Sequence, residues 1–308
     1  MNAPRAWRAL SLPLLLVIGA CSTGNSLPAA NASTAFRAAP AHSVRFVYQT
    51  LVDPSLGATY CLGIDNRGTI AGFVRDRGVK GVRIIAPYQA NDFQLYTART
   101  VFLGFRGDQG TYGFHIGPGD LVTGFTRRNG LRTIYREDKS NDTEVTGIFS
   151  DNGVVGFYVN KLGADVAFRL IGRKIAYLSP PSSVSAAATG VNRFGDIVGW
   201  TQSSGGSTSG WLLKHGRYAN LQFPRSIVTQ AFGINDLGDV VGDYTARNGS
   251  IHGFIAVSPY RARDWQSIDN PRAASGATTA TTGINNERTI VGWYADRRGH
   301  TVGFIAAP

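Results

Sequence analysis

Cysteine is almost absent from this chain: 308 residues carry two, Cys21 and Cys61. Two cysteines cannot build the disulfide framework that holds small secreted domains together. Methionine occurs once, and the five histidines (His42, His115, His215, His252 and His300) are scattered singly. None has a second ligand at zinc spacing, so no metal site is expected. No GxSxG, HExxH or phosphate-binding glycine motif occurs, and acids number only 20. No catalytic residues and no cofactor are therefore assigned. Beyond the first thirty residues there is no helical periodicity either. What remains is rich in Gly, with 38, and in Val, Ile, Thr, Phe, Tyr and Trp, the composition of strands and tight turns.

One apolar run stands out, SLPLLLVIGA at 11–20, preceded by Arg5 and Arg8 and followed by Cys21. It is too short to span a bilayer as a helix. A basic start, an apolar middle and small residues before a cut describe a signal peptide over 1–20. Ile18-Gly19-Ala20-Cys21 resembles the lipobox of bacterial lipoproteins. That resemblance implies acylation at Cys21 and anchorage in a membrane, and Ser22 after the cysteine favours the outer membrane. Two or three acyl chains hold stably, at about 0.8 kcal/mol per buried methylene, where one does not. Residues 21–43 are mostly Ala, Ser, Pro and Asn and read as a tether. With Cys21 lipidated, Cys61 in ATYCLGI is left as a small buried core residue.

From about residue 44 the chain repeats. Five copies align without gaps: GIDNRGTIAG from Gly63, GIFSDNGVVG from Gly147, GVNRFGDIVG from Gly190, GINDLGDVVG from Gly233 and GINNERTIVG from Gly283. A sixth, eroded copy is placed at Gly113, giving starts 50, 34, 43, 43 and 50 residues apart. That period matches four-stranded propeller blades rather than leucine-rich repeats. In each copy a strand ends at Ile or Val, a polar Asx turn follows, and a second strand begins. The second strand is apolar on both faces, as Ile290 and Tyr294 against Val291 and Trp293, which requires cover on both sides. Its central Gly (Gly72, Gly156, Gly199, Gly242 and Gly292) suits close approach of another backbone. Third and fourth strands follow, as in HGFIAV from His252 and RDWQSID from Arg263. The last copy lacks its fourth strand, and SVRFVYQTLVD from Ser43 can supply it, which would remove exposed sheet edges. The predicted fold is an all-β propeller over 44–308, of six four-stranded blades closed by an N-terminal strand, with five blades the competing count.

The pattern GIN-x-x-G-x-[IV]-V-G, followed by HGF-like strands, resembles the bacterial extracellular HAF-type repeats. The resemblance covers 44–308 and implies export and a propeller-like fold without a shared reaction. Arg288 departs from it, standing where the copies from Gly63, Gly190 and Gly233 have the turn Gly.

The formal charge is +11, or about +9 once Arg5 and Arg8 leave with the signal peptide. Tips between second and third strands carry Arg75, Arg77, Lys80, Lys161, Arg247, Arg297 and Arg298. Arg75, Arg77, Lys161, Arg247, Arg297 and Arg298 form the candidate binding set, for an anionic glycan, lipopolysaccharide or an envelope protein. A generally basic, solvated surface explains the same residues. No nucleic-acid reading module accompanies them, so nucleic acid is not expected. Calcium at the Asx turns would need more acids than each turn has. The expected function is thus a non-catalytic, monomeric binding or scaffold module in the cell envelope. The alternatives are a carbohydrate-active hydrolase or lyase, which needs paired carboxylates, and a purely structural envelope protein.

Overall fold

A computed structural model describes residues 44–105, 110–128, 131–136, 142–150, 153–276 and 278–308. The signal peptide, Cys21 and the tether lie outside the described residues. Strand β1 (Val47–Leu51) comes first, and six runs of strands follow. They are β2 (Ala58–Ile64) to β5 (Phe93–Ala98), β6 (Thr100–Phe105) to β9 (Leu131–Tyr135), and β10 (Thr143–Ser150) to β13 (Lys174–Leu178). Next come β14 (Ser183–Val191) to β17 (Arg217–Leu221) and β18 (Val228–Ile234) to β21 (Trp265–Ile268). The last run has three strands, β22 (Thr279–Ile284), β23 (Ile290–Ala295) and β24 (Thr301–Ala307). Each run is an antiparallel meander, and β1 pairs with β24, Val47 opposite Ala307 and Leu51 opposite Gly303. A single parallel bridge, Thr208 to Val228, links the fourth and fifth units.

The repeat has a consistent physical basis. The first strand of every unit carries a register shift at the same place, ending at Gly63, Gly104, Gly147, Gly190, Gly233 or Gly283. Such bulges bend and twist the strand locally. The central Gly of the second strand lies against its own first strand. A Cβ on Gly242 would overlap the Gln230 carbonyl oxygen, and Gly72, Gly156, Gly199 and Gly292 meet Tyr60, Glu144, Ala187 and Ala280 in the same way. Gly113 does so against Val101.

Gly113 therefore belongs to the second strand of its unit, and the eroded copy starts at Gly104, not Gly113. Starts then fall at 63, 104, 147, 190, 233 and 283, a more even spacing than the sequence pattern suggests. The pattern misplaces this copy because Phe105 stands where the others have Ile or Val, and Arg106 where most have Asn or Asp. The HGF pattern has its own reason. Gly253 in β20 (Ile251–Ala256) faces the sixth unit, where a Cβ would press on Thr281, while Phe254 turns into the core and is fully buried. Cys61 is likewise fully buried, and burial pushes its thiol up to about 12, far from reactive.

Candidate functional site

The Asx turns of neighbouring units are joined. Asn235 Oδ1 accepts the Leu237 and Asp239 amides at 3.0 and 2.8 Å, which closes the turn. Its Nδ2 donates to the Asn285 carbonyl of the next unit at 3.1 Å. Asn192 donates in the same way to the Asn235 carbonyl at 3.3 Å, and Asn285 to the Asp65 carbonyl at 3.3 Å. An outer relay runs beside this one, from the Arg193 amide to Asp236, the Asp236 amide to Asn286, and the Asn286 amide to Asn66. Hydrogen-bonded turn geometry thus accounts for the Asn and Asp residues. Among the described residues no three His, Cys, Asp or Glu side chains gather as a metal site.

A cavity of about 500 Å³ opens among these turns and runs inward between the first strands. Equivalent positions of all six units line it: Leu62, Leu103, Thr146, Thr189, Phe232 and Thr282 at one level, and Ile64, Phe105, Ile148, Val191, Ile234 and Ile284 at another. Thr146, Thr189 and Thr282 also brace the wall, donating to the carbonyls of Ala188, Ala231 and Cys61 in the adjacent unit at 2.7–2.8 Å. The mouth is polar, with Asp65, Asn66, Arg67, Asn192, Arg193, Asn235, Asp236 and Asn286. Deeper, Phe73, Phe114 and Phe157 form an aromatic wall beside Glu144. The size is that of a small-ligand pocket, and the lining is mixed, polar at the mouth and more apolar within.

Of the buried acids among the described residues, Asp196 and Asp239 belong to the Asx turns, and Glu144 and Asp243 stand in strands. Glu144, in β10, is 4% exposed, and burial together with the charges of Asp165 and Asp142 holds its carboxyl well above the usual range. Asp243, in β19 (Val240–Thr245), is 5% exposed, and burial pushes it up to about 8. It takes the place that Phe73, Phe114, Phe157, Trp200 and Trp293 hold in the other units. Opposite it sits Gln230, whose Nε2 has no hydrogen-bond partner. The sequence reading missed both acids, because each stands in an apolar strand run and breaks no motif.

The sequence-derived basic set lies elsewhere. Arg75 and Arg77 belong to the hairpin between the second and third strands of the first unit. Lys161, Arg247 and the Arg297–Arg298 pair occupy the corresponding hairpins of the third, fifth and sixth units. Antiparallel pairing puts these tips at the strand ends opposite the Asx turns. All are exposed apart from Arg75, which is partly buried. None lines the cavity.

His252 does more than pack beside Gly253. Its Nε2 is 2.6 Å from Ser250 Oγ, and its Nδ1 is 2.6 Å from Asp269 Oδ1. Ser267 donates to the other Asp269 oxygen at 2.8 Å, and the imidazole stacks on Tyr244. Ser250, just ahead of the strand that holds His252, is two residues from it, the spacing that puts side chains on one face of extended chain and the signal that could have revealed the pair; Asp269, in the next connection, gives no such signal.

With all-β architecture and repeated four-strand meanders, the chain has the fold of β-propeller proteins. No family model and no curated protein sequence matches it. Solved structures do. TolB from Acinetobacter baumannii superposes with a TM-score of 0.52 at 10% identity, over 83% of this chain and 65% of TolB. This chain thus spans just under two thirds of TolB's length. AofleA from Arthrobotrys oligospora gives 0.52 at 12% identity, over 87% of this chain and 89% of AofleA. A mutant Aleuria aurantia lectin in complex with Fucα1-6GlcNAc gives 0.52 at 7% identity, over 80% and 91%. At these identities the likeness is one of fold.

Proposed function

We propose that this protein is a lipid-anchored, monomeric binding module of the bacterial outer membrane, built as a six-bladed propeller of the HAF-repeat type. In this reading the six units close into a ring, with β1 completing the last blade through its pairing with β24. Thr282 and Asn285 reach back to Cys61 and Asp65, which supports the closure. The ligand site is the central cavity, and the observation that carries it is that equivalent residues of all six units line one space. The basic hairpin tips, Arg75, Arg77, Lys161, Arg247, Arg297 and Arg298, face the anionic membrane or its polysaccharide. Juxtamembrane cations there contribute about 1 kcal/mol each. The test uses full-length protein carrying Cys21→Ser, screened by thermal shift against envelope glycans and small metabolites. Leu103→Trp, which fills the cavity, should abolish every specific hit; hits that survive it would place binding elsewhere.

One observation favours a second reading. Ser250, His252 and Asp269 place a hydroxyl, an imidazole and a carboxylate within hydrogen-bond reach, the set used for acyl hydrolysis, which here requires the Ser250 proton to turn from Asn248 Oδ1, 2.6 Å away, to the imidazole. This differs from the paired-carboxylate chemistry of a carbohydrate-active enzyme. A fluorophosphonate probe that labels Ser250, and fails to label it in Asp269→Asn, would support it. Labelling no faster than free serine would dismiss it.

A further inference from the structure

The inner end of the cavity holds an acid without a partner among the described residues. Glu144 is nearly fully buried and lines the space, and its carboxyl makes no hydrogen bond or ion pair among the described residues. Its cross-strand neighbour is Phe157, which lines the cavity beside it. The charges of Asp165 and Asp142 act on it in the same direction as its burial. The cations that line the cavity, Arg67 and Arg193, belong to the turns at the mouth, and Arg193 pairs there with Asp236. Burying a carboxylate unpaired is expensive, and a ligand carrying positive charge removes most of that cost. The aromatic wall adds to the same preference, because ring faces attract cations.

We propose that the cavity takes a small organic ammonium compound, its charged head against Glu144 and its apolar body against Phe73, Phe114 and Phe157. The assignment rests on the cavity being the ligand site, and it adds the ligand's charge and polarity. Anions are disfavoured, because Glu144 offers them no cation and, once ionised, repels them. A neutral alcohol of the same length meets only the uncharged carboxyl and gains no ion pair.

The test titrates full-length protein carrying Cys21→Ser with hexylammonium, hexanol and hexanoate by calorimetry. Hexylammonium should bind at least ten-fold more tightly than hexanol, and hexanoate weakest. Glu144→Gln should erase the preference for hexylammonium, and retained binding of hexanol shows that the cavity is intact. Leu103→Trp should remove all binding. Equal binding of hexanol and hexylammonium, or a preference that survives Glu144→Gln, overturns the ammonium assignment and leaves the cavity as a ligand site. Binding of none of the three overturns it too, and the wider ligand screen then judges the cavity alone.

Discussion

Asn235 donates its side-chain amide to the main-chain carbonyl of Asn285, 3.1 Å away in the next unit, while its oxygen closes its own turn. One residue thus performs the local and the long-range task, which explains why Asn rather than Asp recurs there. Asp65 shows the difference: its oxygen accepts the Arg67 and Thr69 amides, but it has no amide to pass on. Asn235→Asp should keep the turn, lose the inter-unit bond and set a carboxylate beside Asp239. A loss of about 2 kcal/mol is expected, as for a broken buried hydrogen bond, measured by urea unfolding. Asn285→Asp should behave alike.

Arg288 occupies a left-handed position, φ +61°, where Gly195 and Gly238 serve elsewhere. Its guanidinium Nε lies 2.8 Å from Asp239 Oδ2 in the neighbouring unit, and Asp239 is almost fully buried. Left-handed backbone costs a non-Gly residue roughly 1–2 kcal/mol, whereas stripping a buried carboxylate of its cation costs about 3–5. Asp239 keeps its bond from Asn235, so the second figure is an upper bound. Arg288→Gly should therefore destabilise by about 1–2 kcal/mol, despite restoring the repeat. A more stable variant would show that strain, not the ion pair, dominates.

Asp243 makes stability depend on pH. Its folded pKa of about 8 lies above the unfolded value near 3.9, so the native state holds the proton more tightly. Its contribution is whole below about pH 4 and is lost as pH rises through 8. Asp243→Asn should gain on the wild type by a few kcal/mol at pH 8.5, because each tenfold change in proton affinity is worth about 1.4 kcal/mol. The gain should vanish near pH 4. Glu144 shifts in the same direction and remains in both proteins, so the difference reports Asp243. The check is a pair of urea midpoints at the two pH values.

Charge reversal at the hairpin tips tests their proposed role. Replacing Arg75, Arg77, Arg297 and Arg298 by Glu should weaken sedimentation of Cys21→Ser protein with anionic vesicles at low salt, and the wild-type binding should fade as salt rises. Equal sedimentation of both proteins would reduce these residues to a solvated basic surface.

Cys21 should carry the anchor. Radiolabelled palmitate should enter the wild type, and Cys21→Ser should lose the label and leave the membrane fraction. Retention of the label in Cys21→Ser would remove the lipoprotein reading.

The repeat makes much of the fold legible, because Gly, Asn and β-branched residues recur for steric reasons that hold in every copy. Gly242 and its equivalents read as sites of close backbone approach, and each lies against its own first strand. The second unit is the exception: Phe105 and Arg106 replace the usual lead into its turn, so the pattern puts its start nine residues late. The interior acids are not legible. Asp243 replaces an aromatic residue, Glu144 stands where most units have an apolar one, and only the packing of neighbouring units shows that they are buried without partners among the described residues. The basic tips are legible as exposed hairpin residues, yet the cavity lies among the turns at the other end of the strands. The array at His252 escapes because Asp269 is distant in sequence and joins it only through the pairing of β20 (Ile251–Ala256) with β21.

The central claim is that ligand enters the space between the six units, and a crystal structure of the complex with a confirmed ligand tests it most directly. The account predicts density between the Asx turns and Glu144, in contact with the level of Leu62, Thr146 and Thr189. A ligand bound on the hairpin tips or between outer strands, with that space empty, would contradict it.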